Sequence, residues 1–228
     1  MAFPSFLFTI AIAYTLLLFK FQSQAASYLD YGRVKALKMD SQKVNLSVYY
    51  GTLSPNSASF IVRNLAQVFD KDLVTILNLK LIPWGDAHVN ISNNATVCQH
   101  GPDECELNTL EACVIDIFHD DVNKYFALIY CFEFLTIEGR HKEWETCFNS
   151  LGLPQKSVLE CYNGRNGTEL EIIYSNETAH LNPPIKFLPW VLVNNQPIQK
   201  DYANFATYVC KAYKGNNVPK ACHSQPPT

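Results

Sequence analysis

The chain has 228 residues, 48% of them hydrophobic and 17% charged, with only 9 Gly and 12 Pro, which supplies one compact core and excludes a disordered chain. Eighteen Lys and Arg against 21 Asp and Glu leave a net charge of −3, so no positive field gathers phosphates and nucleic acid is not expected as a partner. Eight cysteines are more than a reduced cytosolic chain usually carries.

Residues 1–19 are almost wholly apolar, Lys20 ends the run, and Ser23 and Ala25 set small residues at the −3 and −1 positions of a cleavage site. This predicts a secretory signal peptide over 1–25 in preference to a membrane anchor. A lead segment, 26–43, follows it. Sequons at Asn45, Asn90, Asn94, Asn166 and Asn176 agree with passage through the secretory pathway, to the extracellular space or to a lysosome or vacuole. No second apolar run is long enough to span a bilayer, so no membrane anchor is expected after cleavage. The cysteines at 98, 105, 113, 131, 147, 161, 210 and 222 read as a disulfide framework whose connectivity spacing alone leaves open. With no C-x-x-C and no His pair at ligand spacing, neither a metal nor another cofactor is expected.

Residues 44–53 (VNLSVYYGTL) alternate apolar and polar and predict a first strand. Ser54-Pro55-Asn56-Ser57 makes a turn, and Phe60, Ile61, Leu65 and Val68 recur at helical spacing beyond it. Residues 72–83 predict a second strand, parallel to the first because a helix connects them. Residues 85–101 read as a polar surface excursion. A mainly helical insert over about 104–181 comes next, with helices around 107–118, 122–137, 142–151, 158–162 and 170–181, punctuated by Gly139, Gly152 and Gly164. Residues 187–193 predict a strand, 194–197 a turn, Ile198 the start of an edge strand, and 201–213 an amphipathic helix. The tail, 214–228, is polar and held by Cys222.

Strand, short turn, helix, strand, helical insert, X-Pro before a strand, hairpin and helix is the order of a thioredoxin-like α/β core spanning 44–213. A reactive turn in that fold works by a C-x-x-C at a helix N-terminus, where free N–H groups and the helix dipole stabilise a thiolate. Here the tetrapeptide is Ser54-Pro55-Asn56-Ser57. It is also a sound helix start, with Ser54 as cap and Pro55 in the first helical position. Ser54 as a hydrolase nucleophile lacks a G-x-S-x-G context, and neither His100 nor His180 is placed by the sequence as its base.

Cys98-Gln99-His100-Gly101, then Glu104-Cys105, Asn108 and Cys113, has the form CQHG-x2-EC-x2-N-x4-C. This long motif resembles the signature of the gamma-interferon-inducible lysosomal thiol reductase (GILT) family, and the resemblance extends over about 44–222. It implies a glycosylated, thioredoxin-like enzyme that reduces protein disulfides in acidic or extracellular settings. It also implies that a catalytic C-x-x-C belongs where Ser54 and Ser57 stand, and that Leu188 and a cis Pro189 bind extended substrate. With oxygen at both dyad positions, the expected chain is a redox-inactive relative that binds proteins or extended peptides, disulfide-containing or not. The rivals are an oxidoreductase working through other cysteines and a structural or defence-related glycoprotein.

Cys98 and Cys105 read as a local staple, with an exposed labile bridge as the alternative. His100 reads as a loop-shaping residue or a pH-sensitive group beside that bridge. Cys210 with Cys222 and Cys147 with Cys161 are the other pairings their positions suggest.

Overall fold

The computed structural model describes residues 43–89 and 95–223. The expected signal peptide over 1–25, nearly all of the expected lead segment, the sequons at Asn90 and Asn94, and the end of the tail lie outside the described residues.

Strand β1 (Val44–Tyr50) is the axis of the fold. It pairs in parallel with β2 (Leu77–Pro83), Val44 opposite Leu77 and Tyr50 opposite Pro83, and on its other edge antiparallel with β5 (Trp190–Val193), Tyr49 opposite Trp190. The sheet order is β2-β1-β5-β6, with β6 at Gln196–Pro197. A separate ribbon pairs β3 (His88–Val89) with β4 (Thr96–Val97) in the surface excursion.

Helix α1 runs through Pro55–Phe60, a π-helical stretch Ile61–Leu65 and a last α turn Gln67–Asp70. Between the ribbon and β5 come α2 (Pro102–Ile117), α3 (Val122–Ile137), α4 (Glu145–Leu151), α5 (Lys156–Tyr162) and α6 (Arg165–Ala179). The chain then closes with α7 (Phe205–Ala212) and the short α8 (Lys220–His223).

Alternation along β1 divides the core. Leu46, Val48 and Tyr50 pack with Phe60, Ile61 and Leu65 of α1 and with Phe126, Ile129 and Phe132 of α3, whereas Tyr49 joins Ile82, Trp84, Trp190 and Tyr174 in a second cluster. Period-2 alternation thereby sends Val44, Leu46, Val48 and Tyr50 to one buried face and Tyr49 to the other, where Asn45 and Ser47 are half-buried. Helix α3 has the bounds its sequence predicts: Asp121 caps it by accepting from the Asn123 and Lys124 amides, and Gly139, at φ 70°, ends it.

Expected boundaries move at several places, the helix expected at 170–181 running Arg165–Ala179 and the first strand ending at Tyr50 rather than 53; three shifts bear on the sheet around the turn. Asp72 takes a left-handed φ of 56° and Leu73–Ile76 winds into a 3₁₀ turn, so β2 starts at Leu77 rather than at 72. β5 starts at Trp190 rather than at 187. Asn194 and Asn195 both adopt positive φ, 48° and 63°, which closes the hairpin in two residues. Gln196–Pro197 is therefore paired strand, not turn, and the edge strand precedes Ile198.

Candidate functional site

Ser54 sits in extended geometry (φ −72°, ψ 116°) as the N-cap of α1, with Pro55 at its first position. The Ser54 amide donates to the Gly51 carbonyl at 3.0 Å, and the Ser57 amide donates to Ser54 Oγ at 3.5 Å. Both serines are buried, Ser54 at 6% and Ser57 at 0% exposure; the Ser57 hydroxyl has no hydrogen-bond partner. Pro55 and Asn56 are exposed.

The Leu188–Pro189 bond is cis. Leu188 reaches the turn: Cδ1 lies over Gly51 and Gly85, where a Cβ on Gly85 would come within 2.9 Å of it. Gly85 also has φ +61°, so both space and backbone call for glycine. Phe187 contacts Trp190 and Tyr202, and Tyr202 meets Phe60 of α1 edge-on at 5.6 Å. A chain of rings holds the Pro189 loop against the helix that carries the serines.

The cysteine-bearing motif folds onto the same turn. Gly101, at φ 92°, leads into Pro102 at the first position of α2. Glu104, 1% exposed, accepts from the His100 amide at 2.9 Å and contacts His100 Nδ1 at 2.8 Å. Its backbone carbonyl accepts from the Thr52 hydroxyl at 3.3 Å, and its carboxylate closes on Gly51 so tightly that a Cβ there would lie 2.6 Å from Oε1. Asn108 Oδ1 accepts the Thr52 amide at 3.1 Å, and Asn108 Nδ2 lies 3.8 Å from Cys98 Sγ. Gln99 is exposed. His180 caps the far end of α6 against the Asn176 carbonyl.

All eight cysteines are paired, as Cys98–Cys105, Cys113–Cys161, Cys131–Cys147 and Cys210–Cys222, and no cysteine among the described residues is free. The expected Cys147–Cys161 bridge is wrong. Helix α4 packs on α3 and α5 packs on α2, which brings Cys147 to Cys131 and Cys161 to Cys113.

Behind the turn lies a cluster of which the sequence motif named only Glu104 and the sequence reading missed the other two members. Glu104, Glu111 and Glu133 are each at most 1% exposed. The Tyr50 hydroxyl donates to Glu111 Oε2 at 2.6 Å, while neither oxygen of Glu133 has a partner. Burial raises the Glu133 carboxyl far above the usual carboxylate range, and the charges of Glu111 and Glu104 add to the effect. Burial pushes Glu111 up to about 8 against the opposing pull of the Tyr50 hydrogen bond. Their signal was there to read: each lies in an apolar run, LEAC for Glu111 and CFEFL for Glu133, where a charge is out of place. Among the described residues no group of three or more His, Cys, Asp or Glu could hold a metal ion, and no helix is long and apolar enough to cross a membrane.

Residues 45–151 match the family model described as gamma interferon inducible lysosomal thiol reductase. The chain is 40% identical over 189 residues to the gamma-interferon-responsive lysosomal thiol protein of Arabidopsis thaliana, covering 81% of this chain and 77% of that one. It belongs to the GILT family. The mouse (Mus musculus) gamma-interferon-inducible lysosomal thiol reductase is 34% identical over 188 residues, covering 81% of this chain and 73% of its own length. Among solved structures, the thiol-disulfide oxidoreductase MdbA of Corynebacterium diphtheriae superposes with a TM-score of 0.53 at 11% identity, covering 76% of this chain and 86% of that one; at that identity the likeness is one of fold. The GILT domain is thus a thioredoxin-like α/β core with four disulfides. At the head of its α1, where the family resemblance implies a cysteine pair, this chain has a capping hydroxyl and a buried one.

Proposed function

We propose that this GILT-family chain binds extended polypeptide at the groove between the Ser54–Ser57 turn and the Leu188–Pro189 loop and does not pass electrons through it. The observation that carries the reading is the occupancy of the two helix-head positions by Ser54 and Ser57 while every cysteine is committed to a disulfide. Disulfide reduction needs a thiolate to attack one sulfur of the substrate, a mixed disulfide to form, and a second thiolate to displace it and release the reduced product. A serine hydroxyl supplies neither nucleophile, since no reversible oxygen–sulfur bond takes the place of the mixed disulfide. The groove does not depend on sulfur, and an extended chain can dock there by backbone pairing.

The setting belongs to the same proposal: signal peptide 1–25, core 44–213, tail 214–228, and a glycoprotein of the secretory pathway destined for an acidic compartment or the exterior. The sequons, the eight paired cysteines and the lysosomal descriptions of the relatives support it.

The test compares the native protein with a Ser54→Cys/Ser57→Cys double variant in reduction of a denatured, disulfide-bonded substrate at acidic and neutral pH. The native form is expected to give no turnover and the variant a measurable rate. Native turnover that is abolished by alkylation after mild reduction overturns the reading and points to Cys98–Cys105, whose Cys105 is half-buried in the first turn of α2. Binding is read by titrating reduced, carboxymethylated peptides into the native protein; absence of binding leaves the structural-glycoprotein rival.

A further inference from the structure

The least explained feature of the fold is a carboxylic side chain with both oxygens buried and unpartnered, Glu133. Buried acids are usually paired with a cation, and the two groups that act on Glu133 are themselves acids, Glu111 and Glu104, both raising it. Among the described residues no cation acts on Glu133: of the charged groups on the elements packed on α3, Arg63 is exposed, His141 and Lys142 are engaged with Asp103, and Glu143 with Arg140. Helix α1 buries Ser57, Ala58 and Phe60 against its neighbours, the π-helical stretch buries Ile61 and Leu65, α4 buries Cys147 and Phe148, and the 3₁₀ turn His141–Glu143 buries nothing. From β1 comes the Tyr50 hydroxyl, bonded to Glu111, and behind it Tyr174 of α6. His100 is engaged with Glu104 on the solvent side.

This cluster is tied to the turn at three points. Tyr50, which holds Glu111, is the residue before Gly51. Glu104 accepts from Thr52 through its carbonyl and covers Gly51 with its carboxylate. Helix α1, which starts at the turn, packs directly on α3, the helix that carries Glu133.

We infer that Glu111 and Glu133, with Glu104 beside them, form an acid-sensitive latch that orders the turn at 51–57 while they hold their protons and loosens it when they give them up. Two carboxyls in one dry site cannot both ionise without mutual repulsion and loss of solvation. Ionisation therefore favours any state in which α2, α3 and the end of β1 separate enough to admit water. Both folded-state values lie above the ordinary carboxyl range of about 4.3, so the stabilisation is complete below that range and is lost as pH rises through the raised values. The latch itself is independent of any ligand. Its consequence for peptide binding, tight in acid and weak at neutral to alkaline pH, rests on the reading of the groove given above.

The experiment is hydrogen–deuterium exchange on the full secreted protein at pH 5 and pH 8 with intrinsic rates divided out, beside Glu133→Gln and Glu111→Gln. Native protection at residues 52–60 is expected to drop from pH 5 to pH 8, by at most about tenfold per pH unit for each linked proton, and to drop less in either variant. Equal native protection at the two pH values overturns the latch, as does a Glu133→Gln protein whose protection falls as steeply as the native. Should the variants fail to fold, the native protein labelled with 13C at the Glu carboxyls decides: two resonances titrating above pH 6 support the latch, and all of them titrating near the ordinary range refute it. Peptide titration at pH 5 on the same samples separates the two proposals. Pronounced pH-dependence of protection with no peptide bound sustains the latch and removes the groove reading, whereas binding with equal protection at both pH values does the reverse.

Discussion

Asn108 accepts the backbone amide of Thr52 at 3.1 Å across 56 residues of sequence, fastening the cysteine-rich motif of α2 to the turn that precedes α1. Its other side-chain atom lies 3.8 Å from Cys98 Sγ, so one amide side chain joins turn, helix and disulfide. Asn108→Ala strands the buried Thr52 N–H and is expected to cost about 1–3 kcal/mol, read as a lower urea midpoint at unchanged m-value. A loss under about 0.5 kcal/mol would mean that the motif does not brace the turn.

The two serines are expected to respond in opposite ways to the same substitution. Ser54 Oγ caps α1 at the long distance of 3.5 Å, so Ser54→Ala should destabilise by about 0.5–1 kcal/mol, the low end for a lost cap. Ser57 Oγ is buried without a partner, and Ser57→Ala should be neutral or stabilising by up to about 1 kcal/mol, because an unsatisfied hydroxyl leaves the core. Chemical denaturation of both variants checks the contrast; equal losses would show that Ser57 has a bonded role.

The disulfides should differ in worth according to the chain they close. Cys113–Cys161 spans 48 residues and Cys98–Cys105 spans 7, and the loop-entropy relation assigns about 4 kcal/mol to the first and about 2.5 kcal/mol to the second. Paired Cys→Ala variants compared by thermal unfolding should show the larger drop for the Cys113–Cys161 pair, which is also the more deeply buried. A larger drop for the short loop would assign it a role beyond that of a staple.

How far the sequence carried the fold follows from where each signal resides. The β1–turn–α1–β2 order was legible because alternation, a Ser-Pro helix start and a β-branched run are local patterns. Helix α3 was legible to the residue because Asp121 and Gly139 punctuate it. The Cys147–Cys161 pairing failed because disulfide choice depends on which helices pack together, and sequence proximity says nothing of α4 lying on α3. The hairpin failed by two residues because Asn194 and Asn195 each tolerate positive φ, which allows a tighter turn than four polar residues suggest. Around the turn, the motif residues were recognisable by spacing, whereas the bonds from Asn108 and Glu104 to Thr52 are tertiary and left no local trace. Glu111 and Glu133 were visible as misplaced charges; their convergence with Tyr50 was not.

Accessibility separates the sequons within the described residues. Asn166 and Asn176 are exposed on α6, while Asn45 is half-buried in the central strand with its side-chain oxygen accepting from Asn78 at 2.9 Å. Glycans are expected at Asn166 and Asn176 and absent at Asn45 in the folded protein. The Asn176 glycan should lean back over Ile172, 56% exposed and four residues earlier on the helix, since helical side chains tilt toward the N-terminus. Enzymatic deglycosylation in 18O water with peptide mapping reads all three; a fully occupied Asn45 would contradict the half-buried placement.

Stability should peak in mild acid, with limbs of different origin on either side. On the acid side, Asp103 is held below the usual carboxylate range by its hydrogen bonds to His141 and Lys142, and Glu143 by its bond to Arg140. A depressed folded-state value contributes stability above the ordinary range that is lost as pH falls through it, so these pairs give a decline at the acid extreme. They are solvent-exposed, and the decline is shallow. On the alkaline side, Glu111 and Glu133 have raised values, so their contribution is complete in acid and disappears as pH climbs through about 8 for Glu111. They are buried and the decline is steep. Calorimetric melting between pH 3 and pH 9 should therefore give an asymmetric dome with its maximum near the upper end of the ordinary carboxylate range. Raising the salt to about 1 M, where screening acts within about 3 Å, should flatten the acid limb and leave the alkaline one nearly unchanged. A maximum at pH 7–8, or an alkaline limb as salt-sensitive as the acid one, would show that surface charges and not the buried pair set the pH response.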